Sequence, residues 1–113
     1  MNPALRVNDN GRVGVGTTAP GARFMVVGEA GAPTMNILHD GATPTNPAIR
    51  VNDNGNVGLG TTTPSARLEI TDGDVYINDA ARGIILTSPN GNCYRVTVDM
   101  QGNLANNQVT CPN

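Results

Sequence analysis

Apolar residues in this chain come in short interrupted groups rather than in runs. Leu5-Arg6-Val7, Val13-Gly14-Val15, Ile49-Arg50-Val51 and Val57-Gly58-Leu59 each set two aliphatic residues around one polar or small one. Such alternation has the period of a β-strand with a single apolar face. The longest stretch free of Gly and Pro is ten residues, Asn92 to Gln101. That is too short for a long amphipathic helix, and a membrane-spanning helix needs about 20 apolar residues. The pattern therefore predicts an all-β chain.

Self-comparison reveals a duplication. Asn2 to Val27 reads NPALRVNDNGRVGVGTTAPGARFMVV, and Asn46 to Thr71 reads NPAIRVNDNGNVGLGTTTPSARLEIT. Of 26 aligned positions 17 are identical, and four more exchange one apolar residue for another, at a constant offset of 44. Two copies fall short of the three or so that a solenoid needs to bury its own faces. Another element must supply the missing core.

Turn chemistry sets the expected shape of each copy. Asn10-Gly11 and Asn54-Gly55 are hairpin signals. A two-residue loop would place Val7 opposite Gly14 and scatter the apolar residues over both faces. A three-residue loop, Asp9-Asn10-Gly11, instead pairs Val7 with Val13 and Leu5 with Val15, with Gly11 in the left-handed position of a G1 bulge. The second copy is expected to pair Val51 with Val57 and Ile49 with Leu59, with Gly55 at its bulge. Gly14, Gly16, Gly58 and Gly60 alternate with these aliphatics, and a strand tolerates such glycines where another backbone comes close. Thr17-Thr18-Ala19-Pro20 and Thr61-Thr62-Thr63-Pro64 read as capped turns opening one helical turn, after which strands resume at Arg23 to Val27 and Arg67 to Thr71.

The last thirty residues read as a meander: a strand Gly83 to Thr87, a turn at Pro89-Asn90-Gly91, a strand Cys93 to Met100, a turn at Gln101-Gly102-Asn103, and a returning strand Leu104 to Cys111. With Gly102 at the turn centre, Cys93 falls opposite Cys111, and a shift of one or two residues still leaves them close. The two cysteines suit one disulfide, with two free thiols in a cytosolic protein as the alternative. They are too few for a zinc site.

Composition sharpens the picture. The 113 residues include 14 Gly, 8 Pro, 15 Asn and 12 Thr, with no Trp, one Phe and two Tyr, so no large aromatic core can form. The net charge is −2, with seven Arg and no Lys. Without a basic run the chain is not expected to bind nucleic acid or insert into a membrane. Met1 to Gly11 lacks the basic and apolar regions of a secretory signal, so export would rest on a removed signal or on another route, such as incorporation in a virion.

Candidate chemistry is sparse. Gly14-x-Gly16 and Gly58-x-Gly60 lack the third glycine, the following helix and the lysine of phosphate-binding loops. Asn8-Asp9-Asn10-Gly11 and its copy lack the bidentate glutamate of a calcium loop. His39 is the only histidine; three copies on a threefold axis would be needed to make it a metal site. No Ser-His-Asp or Cys-His arrangement is credible with His39 alone and with Cys93 expected to pair with Cys111, and Asp72 and Asp74 sit beside a glycine turn, where a solvated loop is the default. No catalytic residue, cofactor or metal is expected.

The string Asn54 to Leu68, NGNVGLGTTTPSARL, resembles the "GNVGIGTTTPSAKL" element of phage tail fibres, tailspikes and related bacterial surface proteins. Gly83 to Gly91 followed by Tyr94 to Asp99 is similar to a short β module in the same kinds of protein, whereas Gly28 to Thr45 lies outside the resemblance. The resemblance implies a homotrimeric β-fibre of β-prism or triple β-helix type, in which three chains wrap one axis. The expected architecture is accordingly a first β-hairpin repeat at 1–45, a second at 46–82 and a C-terminal β-meander at 83–113. Gly11, Gly55, Gly91 and Gly102 are its turn residues. Leu5, Val7, Val13, Val15, Ile49, Val51, Val57 and Leu59 form the trimer core, which strand glycines would let the chains approach. The expected role is structural: a stem, attachment or decoration protein on a virion, with other virion proteins or a further copy joined end to end as partners. A secreted bacterial subunit polymerising into an extracellular filament is the alternative. No surface glycan or receptor can be read from these residues.

Overall fold

Ten β-strands and no helix occur among residues 4–41, 43 and 45–113, which the computed structural model describes. They are β1 (Leu5–Val7), β2 (Val13–Val15), β3 (Phe24–Val26), β4 (Met35–Ile37), β5 (Ile49–Val51), β6 (Val57–Leu59), β7 (Leu68–Ile70), β8 (Ile84–Thr87), β9 (Cys93–Val98) and β10 (Leu104–Val109). Three sheets result, ordered β1-β2-β3, β4-β5-β6-β7 and β8-β9-β10. The protein is all-β. Asn2 and Pro3, at the start of the first repeat, lie outside the described residues.

Both repeat hairpins adopt the register that keeps their apolar residues on one face. Leu5 pairs with Val15 and Val7 with Val13; Ile49 pairs with Leu59 and Val51 with Val57. The same loop closes four hairpins. The glycine amide donates to the carbonyl three residues back in Gly11–Asn8, Gly55–Asn52, Gly91–Ser88 and Gly102–Asp99, at 2.9 to 3.1 Å. Each of these glycines has φ between +70° and +87°, the left-handed region that a G1 bulge requires. In two of them the residue before the loop fastens the turn: Asn8 Oδ1 accepts from the amides of Asn10 and Arg12, and Asp99 Oδ1 from those of Gln101 and Asn103.

After each hairpin the chain returns to the same sheet in parallel. β3 pairs with β2, Val13 facing Phe24 and Val15 facing Val26; β7 pairs with β6, Val57 facing Leu68 and Leu59 facing Ile70. Parallel neighbours usually need a crossover of about a dozen residues or more, yet only residues 16–23 and 60–67 intervene. Glycine makes the short path possible. A Cβ on Gly14 would meet the Thr17 carbonyl oxygen at 2.8 Å and Pro20 Cβ at 3.4 Å; on Gly58 it would meet those of Thr61 and Pro64 at 2.7 and 3.5 Å. The close backbone is the chain's own return loop, so Gly14 and Gly58 each serve a contact within the chain. No helical turn forms at the Thr-Thr-x-Pro segments; the Thr17 and Thr61 hydroxyls instead accept from the amides of Ala19 and Thr63.

The chain divides into two units, Met1–Asp74 and Val75–Asn113. This differs from expected boundaries at 45/46 and 82/83. β4, placed by sequence with the first repeat, pairs with β5 of the second, and residues 75–82 group with the C-terminal meander. The meander register also departs from expectation. Val98 pairs with Leu104 and Cys93 with Val109, not Cys111. Gly102 takes the bulge position after the turn centre, which moves the pairing by two residues. Cys111, just past the strand end, is still joined to Cys93, with Cα atoms 5.1 Å apart.

Candidate functional site

The residues with most chemical consequence form faces rather than a pocket. Register places Val7, Val13 and Phe24 in one row, and Leu5, Val15 and Val26 in a second, on one face of the first sheet. In the second sheet the rows lengthen to Met35-Val51-Val57-Leu68 and Ile37-Ile49-Leu59-Ile70. The opposite faces carry Arg6, Gly14 and Met25, and Asn36, Arg50, Gly58 and Glu69.

Burial is inverted relative to an ordinary sheet. Gly14, Pro20, Gly58 and Pro64, on the side closed by the return loops, are buried. On the apolar side Leu5, Val7, Phe24 and Leu68 are 65%, 66%, 61% and 59% exposed. Ile37 is also exposed, and the other residues of these rows are half-buried. Apart from prolines, Cys93 is the one buried apolar side chain among the described residues.

All eight residues expected to form an apolar stripe lie in these rows, Leu5, Val7, Val13 and Val15 in the first sheet and Ile49, Val51, Val57 and Leu59 in the second. Six neighbours escaped the sequence reading: Phe24, Val26, Leu68, Ile70, Met35 and Ile37. The alternation of Phe24, Val26, Leu68 and Ile70 was visible, since strands were expected at Arg23 to Val27 and Arg67 to Thr71, whereas no strand was expected at Met35 to Ile37. The parallel pairing of β3 and β7 was not visible.

Polar contacts on the reverse side hold the return loops down. Asn56 Nδ2 donates to the Pro64 carbonyl at 3.0 Å, and Arg12 Nη1 to the Pro20 carbonyl at 3.3 Å. Glu69 Oε2 accepts from the Ser65 hydroxyl at 2.6 Å and its amide at 2.8 Å. These bonds favour the carboxylate and hold Glu69 below its ordinary pKa, the side-chain bond from Ser65 most of all. Asp99 is lowered likewise by the Asn103 amide and then its side chain. Both groups fix loops.

In the C-terminal unit an open trough of about 450 Å³ is lined by Val75, Ile77, Ile84, Val96, Val98 and Leu104 among others. Its lining offers Asp79 and Arg82 as charged groups, and these are 3.8 Å from each other. His39 Nδ1 lies 2.8 Å from the Asp40 carbonyl oxygen on the surface. Among the described residues no three His, Cys, Asp or Glu side chains group as metal ligands, and no helix is long and apolar enough to cross a membrane.

No protein-family model matches the sequence, and no curated protein matches it at a significant level.

Proposed function

We propose that the protein is a structural subunit that folds as a homotrimer, its three chains burying their aliphatic rows against one another, and that it acts as a short stem, attachment or decoration element of a bacteriophage fibre or spike. The observation that carries this reading is the apolar side of the two repeat sheets, on which Leu5, Val7, Phe24, Ile37 and Leu68 stand exposed; contiguous exposed apolar residues mark interaction surfaces.

Three chains meeting at an axis would each contribute one such narrow apolar face to a shared core. The resemblance of Asn54 to Leu68 to the fibre element points to the same arrangement. The Cys93–Cys111 disulfide suits a chain exposed outside a reducing cytosol, on a virion or cell surface. The role is mechanical rather than catalytic, because hydrogen bonds and burial recur at each level and none requires a pocket.

Light scattering at micromolar concentration tests it. The expected mass is three times that of the 11.7 kDa chain, and a folded monomer overturns the proposal. Val57→Asp, which places carboxylates on the shared apolar side, is expected to dissociate or unfold the particle.

A further inference from the structure

The two repeats share sequence but not strand number. In the second sheet, β5 has β4 on its outer edge, in the register Met35 opposite Val51, Asn36 opposite Arg50 and Ile37 opposite Ile49. In the first sheet, β1 is itself the edge. The difference shows in exposure: Ile49, Arg50 and Val51 are half-buried, whereas Leu5, Arg6 and Val7 are exposed. An edge of this kind presents a row of backbone groups ready to pair with another strand.

A segment with the matching pattern is present elsewhere. Val75-Tyr76-Ile77 alternates apolar, polar-tipped and apolar like Met35-Asn36-Ile37. It belongs to no sheet, no backbone hydrogen bond holds it among the described residues, and Val75 and Tyr76 are 65% and 83% exposed. It contains neither Gly nor Pro, so no ladder donor is missing from it.

We propose that Val75–Ile77 of one copy adds to the β1 edge of a second copy as an antiparallel fourth strand, with Val75 opposite Val7, Tyr76 opposite Arg6 and Ile77 opposite Leu5. The register is that of β4 on β5, carried over by the 44-residue offset of the repeats. It would complete the rows Val75-Val7-Val13-Phe24 and Ile77-Leu5-Val15-Val26, making the first sheet equivalent to the second. Backbone bonds supply affinity in this mode of recognition, and alternate side chains supply register. Because donor and acceptor lie on different parts of one chain, the contact is head-to-tail. Three such contacts close a ring, and an unclosed series makes a filament. The inference rests on the reading that copies of this chain assemble, and it names the strand that links them.

Chains carrying Arg6→Cys and chains carrying Tyr76→Cys, mixed, refolded together and mildly oxidised, test it. Both positions are exposed, and peptide mapping by mass spectrometry distinguishes the new link from the native Cys93–Cys111 bond. Cross-linking between the two chain types is expected about tenfold above that of Arg6→Cys with Asn78→Cys, because a two-residue displacement moves the thiols by nearly 7 Å. Hydrogen exchange on the unmodified assembly should also show slow amides at Val75 and Ile77, which face the free backbone groups of Val7 and Leu5 in this register. A trimer whose introduced thiols do not join between chains, or whose Val75 and Ile77 amides exchange freely, overturns strand donation and leaves the trimer standing. A monomer overturns both.

Discussion

Arg12 and Asn56 differ in charge, length and shape, yet occupy equivalent repeat positions and make the same bond. Each donates to the carbonyl of the proline eight residues on, Pro20 and Pro64 respectively. The one position inside the otherwise identical turn string where the repeats diverge thus keeps its function, which is to hold the return loop against the sheet.

Exchanging these two residues should therefore be tolerated where deletion is not. Asn56→Ala is expected to lower stability by about 0.5–1.5 kcal/mol, since the Pro64 carbonyl loses its donor in a part-buried place. Asn56→Arg should stay within about 0.5 kcal/mol of the parent protein. Urea midpoints at one fixed chain concentration decide it; equal losses for both variants would show that the bond is incidental.

The loop's close approach gives a sharper contrast. In Gly58→Ala the new Cβ meets backbone and methyl atoms of Thr61 at 2.7 and 2.8 Å, so a destabilisation of about 1–3 kcal/mol is expected. Gly21→Ala has nothing within 4 Å and should change stability by less than about 0.5 kcal/mol. Thermal unfolding of the pair is the measurement.

At Gly102 space is open, but φ is +85°. Gly102→Ala should cost about 1–2 kcal/mol through backbone strain alone, and Gly102→Asn less, because asparagine enters the left-handed region more readily. Similar losses for the two variants would argue against the bulge.

Mass spectrometry without reductant should find Cys93 joined to Cys111 within one chain. Removing the link as Cys93→Ser with Cys111→Ser should cost about 3 kcal/mol in the chain-entropy model, a visible drop in the unfolding midpoint of a sheet with so little core. An unchanged midpoint would mean that the meander is held by other contacts.

The lowered Glu69 and Asp99 carboxyls also predict a pH response. Both have folded-state pKa values below their unfolded ones. Their contribution is therefore present above the ordinary carboxylate range and lost as pH falls through the depressed values. Carbon-detected NMR titration should place both midpoints below ordinary. In Glu69→Gln the part of the acid dependence due to Glu69 should vanish, and an unaltered profile would remove Glu69 from the account.

Local chemistry determined a great deal by itself. Alternation such as Leu5-Arg6-Val7 set the strand class, and Asn-Gly after an apolar pair set the three-residue loop, because a two-residue loop would split the aliphatics between faces. Those signals are complete within a dozen residues. What only the tertiary structure decided is how separate segments share a sheet. Phe24 and Leu68 join their hairpins in parallel across a loop that glycine allows to lie flat, and Met35-Asn36-Ile37 pairs with the repeat that follows it rather than the one that precedes it. The meander likewise centres on Gln101, with Gly102 displaced to the bulge. In each case the local pattern suits several partners equally, and the choice falls to steric fit and hydrogen-bond geometry between residues that are not neighbours in the chain.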